Sequence, residues 1–144
     1  MTNFFRKKEA LELLEGMHFD EKDLFIKFKK NFPELLDWIA SSRLLMKNIE
    51  KLEVSYVYEN EMRDDGRITT ECNLGIYTKT YLYSIHAEKP TTDSPRGELY
   101  GVLMIREPNS GQKNLRDGAY SEETWKSILK QILKYETIAH TFHI

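Results

Sequence analysis

Two short groups carry the side chains best suited to move a proton or hold a metal ion, His86-Ala-Glu88 and His140-Thr-Phe-His143. On a strand, positions two apart point the same way, so His86 and Glu88 share a face. On a helix, positions three apart do the same for His140 and His143. Imidazole beside a carboxylate can exchange a proton near neutral pH, and the same donors suit zinc-like ions. The reaction such a set would support is hydrolysis of a phosphoester, with His86, Glu88, His140 and His143 as a metal-dependent or acid/base group. Zinc needs three or four converging ligands, however, and no spacing in the chain establishes them. Ordinary surface histidines are the plainer explanation, so no metal and no cofactor are assigned.

A second candidate is the loop Arg106-Glu-Pro-Asn-Ser-Gly-Gln-Lys113-Asn-Leu-Arg116, which leads towards the start of the last helix. Backbone donors, a positive helix end and the cations Arg106, Lys113 and Arg116 are the ingredients of an anion cradle. The spacing is not that of a P-loop, and Glu122 and Glu123 would repel an anion from the helix start. Tyrosines supply the third candidate: Tyr56, Tyr58, Tyr77, Tyr81, Tyr83 and Tyr100 all fall in the strand-like middle of the chain. Their rings offer rigid contact area with a polar tip, and Tyr81, Tyr83 and Tyr100 join the loop cations as the expected ligand-binding set. The competing explanation is that tyrosine is a good strand former whose rings pack on cross-strand neighbours. The acidic stretch Glu59, Glu61, Asp64 and Asp65 is interrupted by Arg63 and Arg67 and has no calcium-loop spacing; it suits a soluble turn.

These residues are positioned by elements whose signals change along the chain. Asn3 can cap a helix to about Glu15, with Gly16 as its stop, and Asp20 starts a second helix whose Phe25, Phe28 and Phe32 recur at helical spacing. Pro33 opens a third, which the stripe Leu35, Trp38, Ile39, Ser42, Leu45, Met46 and Ile49 carries to about Asn48. From Leu52 the period becomes two, placing Leu52, Val54, Tyr56 and Tyr58 on one face and Glu53, Ser55 and Glu59 on the other. Asp64-Asp65-Gly66 signals a hairpin into a second strand, Arg67 to about Tyr77, in which Cys72 alternates with apolar residues as a buried thiol. A third strand spans about Tyr81 to Glu88. The fourth, Glu98 to Arg106, is apolar on both faces and so belongs in the sheet interior or under helices. Ser121 can cap a last helix with the stripe Trp125, Ile128, Leu129, Ile132 and Leu133, and Thr137 to Ile144 can prolong it or form a short strand.

The order is that of an α+β fold: N-terminal helices, a four-stranded antiparallel meander sheet and a C-terminal helix packed on one face, in two layers and as one domain over residues 1–144. A chain of 144 residues with 40% hydrophobic and 31% charged side chains can bury a core, and its single cysteine excludes an intrachain disulfide. A net charge of −2 with a pI of about 6.1 gives no field to draw in nucleic acid, which would need Lys7, Lys8, Lys27, Lys29 and Lys30 on one face. No apolar run reaches the roughly 18 residues of a membrane span, and the first residues do not read as a leader, so a cytoplasmic address is expected. The chain thus reads as a non-enzymatic binding or regulatory domain. It is expected to engage a protein partner or a small anionic ligand through the tyrosine-rich sheet and the 106–118 loop. A small hydrolase is the alternative, and an edge strand leaves a homodimer open.

Overall fold

The structure, a computed structural model, describes residues 22–64, 66–90, 100–106, 114–117 and 123–141. The expected first helix (Asn3 to Glu15), Lys7 and Lys8, the cap Ser121 and His143 lie outside them. So do Lys113 and the side chains of Tyr100 and Arg116.

Phenylalanine spacing builds the first described helix, α1 (Lys22–Asn31), and the turn after it. Phe25, Phe28 and Phe32 are buried, with neighbouring ring centroids 6.3 and 5.9 Å apart. Pro33 follows at the first position of α2 (Pro33–Ser41), where its missing N–H leaves no bond unmade. The helix expected to continue to Asn48 breaks at Ser42, whose extended backbone (φ −91°, ψ 107°) ends α2. Its Oγ accepts from the Leu45 N–H at 3.3 Å and so caps a separate short helix, α3 (Arg43–Asn48).

The sheet contains the expected antiparallel meander of β1 (Ile49–Met62), β2 (Ile68–Thr78), β3 (Leu82–Pro90) and β4 (Tyr100–Arg106). Two short strands add to the outer edge of β4: β5 (Asn114–Asp117), within the stretch read as a loop, and β6 (Glu123–Thr124). The closing helix, α4 (Trp125–Thr141), follows directly, with Thr124 Oγ1 3.4 Å from the Ser127 N–H as its cap, and it takes the ambiguous tail as helix as far as Thr141.

One face of the sheet is apolar and covered. Leu52, Val54 and Val57 of β1, Cys72, Leu74 and Ile76 of β2, Tyr83, Ile85 and Ala87 of β3, and Leu103 and Ile105 of β4 are all buried. They form one cluster with the phenylalanines of α1, Leu35, Leu36 and Ile39 of α2, Leu45 of α3, and Ile128, Leu129 and Ile132 of α4. Helices on one side of an antiparallel sheet make the fold a two-layer α+β structure.

The strand alternation read for β1 holds only to Val54. Val54 pairs with Leu74 and Tyr56 with Asn73, so Ser55 is an extra residue in a β-bulge. Beyond it the faces exchange: Val57 enters the core opposite Cys72, and Tyr56 and Tyr58 turn to the other side of the sheet opposite Asn73 and Glu71.

Candidate functional site

The bulge assembles a site on the face of the sheet opposite the core. Antiparallel partners point to the same side, so the register sets two rows across three strands: Tyr56, Asn73 and His86, then Tyr58, Glu71 and Glu88. Glu71 and Glu88 therefore sit directly opposite one another, an arrangement that like charges disfavour. A cation resolves it. The β1–β2 turn, closed by the Arg63 N–H to the Arg67 carbonyl at 2.7 Å with Gly66 at φ 84°, folds Arg63 back over the sheet. Its Nε donates to Thr69 Oγ1 at 3.1 Å, and its Nη2 lies 2.8 Å from Glu71 Oε2 and in contact with Glu88 Oε1.

His86 closes the group. Its Nε2 is 3.3 Å from Glu71 Oε2 and 3.3 Å from Glu88 Oε1, and its Nδ1 is 2.6 Å from Tyr56 Oη. Burial is the main force on the imidazole and pushes its pKa below the ordinary value of 6.5; Glu71 pulls upward and Arg63 adds a smaller downward push. The ring is accordingly neutral at pH 7 and carries one proton. Carboxylates only accept, so that proton belongs on Nε2, and Nδ1 accepts from the Tyr56 hydroxyl. Tyr56 fits the donor role because burial, and then Glu71, hold its pKa above 10.0. The result is a chain of donors from Tyr56 through His86 to two carboxylates. Glu71 and Glu88 keep only 14% and 13% of their side-chain surface exposed, so their ion pairs are less screened than at an open surface.

His86 and Glu88 are thus brought together, with Glu71, Arg63 and Tyr56 completing the group. His140 is placed elsewhere: on α4 its Nε2 is 3.3 Å from Glu136 Oε1, on the core side of the sheet. Glu136 is fully buried, and its Oε2 accepts from the hydroxyls of Tyr83 and Thr78. Tyr83 is buried with it. Tyr81 packs edge-on to Tyr83 at 5.9 Å and to Tyr135 at 5.7 Å, so both tyrosines belong to the contact between sheet and α4. Arg106 pairs with Leu82 and Asn114 in the ladders, four residues along β3 from His86, or about 13 Å at the rise of a strand.

The tyrosines therefore divide. Tyr56, Tyr58 and Tyr77 lie on the face away from the core, with Tyr56 and Tyr58 stacked at a centroid distance of 4.7 Å and Tyr58 49% exposed. On the same face Lys51 stands over the Tyr77 ring, 5.3 Å from its centroid, and pairs with Glu53 at 3.1 Å. Glu71 and Glu136 escaped sequence reasoning. Glu71 becomes visible only once the hairpin register is counted out to β3, and Glu136 looks like any polar position of an amphipathic helix.

No family model, no curated protein and no solved structure matches this chain.

Proposed function

We propose that the chain is a non-enzymatic binding domain that meets another protein through the face of its sheet opposite the helices, with Tyr56 and Tyr58 as its anchors. The observation that carries this reading is the stacked pair itself, set on a rigid three-strand platform with Tyr58 49% exposed. Tyrosines of this kind supply much of the energy of protein contacts, because they bury large area while losing few rotamers. The adjoining charged group is mostly satisfied internally, with Arg63 on both carboxylates and both His86 nitrogens in contact. Such a group holds a surface in shape at the polar rim of an interface. Site-specific photo-crosslinking in the native host tests the reading. A photoreactive residue at position 58 is expected to capture a discrete adduct that the same residue at Lys126, an exposed position of α4, does not. Tyr56→Ala should abolish the adduct. Equal labelling at both positions, or none at 58, would overturn the proposal.

The donor chain Tyr56–His86–Glu88 favours a second reading, a small hydrolase that uses His86 as base and Glu88 to orient it. It requires phosphoester turnover that His86→Ala abolishes. A His86→Ala chain that still forms the adduct at position 58 and turns over phosphoester no more slowly than the parent excludes it.

A further inference from the structure

Glu71, His86 and Glu88 surround a place already held by a cation, and we propose that they form a binding site for a divalent transition ion of the zinc class, with the Arg63 guanidinium as its built-in competitor. Zinc binds nitrogen and oxygen donors at about 2.0–2.1 Å, so neighbouring donors of a tetrahedral site stand roughly 3.3 Å apart. His86 Nε2 stands 3.3 Å from one carboxylate oxygen of Glu71 and 3.3 Å from one of Glu88, and the three ligand atoms lie within 4.8 Å of one another. Glu71 and Glu88 are directly paired across β2 and β3, and His86 lies two residues from Glu88 on the same face of β3, so the backbone does not have to move to gather them.

The donor set selects the class of ion. One imidazole nitrogen with two carboxylates suits zinc and its first-row neighbours, whereas calcium and magnesium prefer all-oxygen shells. A ligating histidine is normally oriented through its other nitrogen, and Tyr56 Oη at 2.6 Å from Nδ1 occupies that position. Protons balance within the site. When the ion takes the Nε2 lone pair, the imidazole proton resides on Nδ1 and is donated to Tyr56 Oη, whose own hydrogen turns to solvent. The two carboxylate charges are then neutralised by the ion in place of Arg63, and water or a donor from a bound partner completes the fourth position. Arg63 can leave because it sits on the hairpin connection with 33% of its side chain exposed. This site stands whether or not the tyrosine face binds a protein.

Calorimetric titration of the chelator-stripped full chain with zinc chloride tests the proposal, with each variant's circular dichroism and melting curve as a check on folding. One ion per chain is expected. Arg63→Met should tighten binding roughly tenfold, the scale of one charge-assisted hydrogen bond that the competitor no longer makes. Tyr56→Phe should weaken it roughly tenfold, as removal of an outer partner of a ligating histidine does. His86→Ala should remove binding, and Glu88→Gln, which keeps the side-chain shape, should weaken it by at least as much as Tyr56→Phe. Binding seen only in Arg63→Met also supports the arrangement, since the competitor is then strong enough to mask the site. A folded Arg63→Met chain that binds no zinc, or binds it no tighter than the parent, overturns the proposal. So does stoichiometric binding that survives His86→Ala, or binding that Glu88→Gln leaves at the parent's affinity.

Discussion

At the scale of single residues, the groups that most constrain this protein are those kept uncharged inside it. Tyr83 is fully buried, and its pKa is pushed up from 10.0, by burial first and then by its bond to Glu136. Burial likewise raises the Cys72 thiol from 9.0. Both folded values lie above the unfolded ones, so the stability tied to these groups is present below the unfolded values and drains away as the pH rises past them. The unfolded chain releases protons that the fold retains, and each group then costs up to about 1.4 kcal/mol per pH unit. Urea midpoints are expected to fall between about pH 9 and 11, and Tyr83→Phe with Cys72→Ala should flatten that fall. At neutral pH Tyr83→Phe has a different cost. It removes a hydroxyl donor from the buried Glu136 carboxylate, which retains Thr78 and His140, and a loss of about 1–3 kcal/mol by urea unfolding is expected.

At the scale of elements, periodicity located most of the helices and strands, and the exceptions have local causes. The phenylalanine spacing of α1, the alternation of β2 and the stripe of α4 each offer a single way to bury their apolar side chains. Strand β1 offers two. Tyr56 and Val57 are both acceptable in a core, so alternation alone favoured Tyr56, and the choice fell to the Cys72 partner and the bulge at Ser55. Deleting Ser55 should leave a regular strand with the same faces and cost on the order of 1 kcal/mol, whereas deleting Asn73 from β2 would throw the following residues onto the wrong face and abolish cooperative melting. The contact between β3 and β4 sets a stricter limit. A Cβ at Gly101 would overlap the backbone carbonyl of His86, and the obstruction is backbone that cannot rotate aside. Gly101→Ala is expected to cost more than about 2 kcal/mol and to disturb His86, seen as weakened zinc binding relative to the parent at temperatures where both remain folded.

At the scale of the whole molecule, the two faces of one sheet differ, one covered by helices and the other carrying the charged group, and that division was only partly legible. His86 and Glu88 stood out because they are neighbours in sequence. Arg63, Glu71 and Tyr56 join them through the register of three strands, a turn that folds back and a bulge, none of which is written as a motif. The opposite face was legible in outline, since a greasy sheet must be covered, but the cover comes from both ends of the described chain. Helices α1 to α3 precede the sheet and α4 follows it, yet their buried side chains form one cluster with the same strand residues. No helix among the described residues is long and apolar enough to cross a membrane. Removing α4 would take Ile128, Leu129 and Ile132 out of the core cluster and uncover the apolar side chains they pack on, at roughly 1.5–3 kcal/mol for each large apolar side chain, a sum comparable to the whole stability of a domain. A chain ending at Thr124 is therefore expected to lose cooperative melting and to bind a hydrophobic dye, although all the residues of the Arg63, Glu71, His86 and Glu88 group remain in it. If that truncated chain instead melts cooperatively and binds zinc like the parent, the sheet and the first three helices are self-sufficient, and α4 is an accessory to the core.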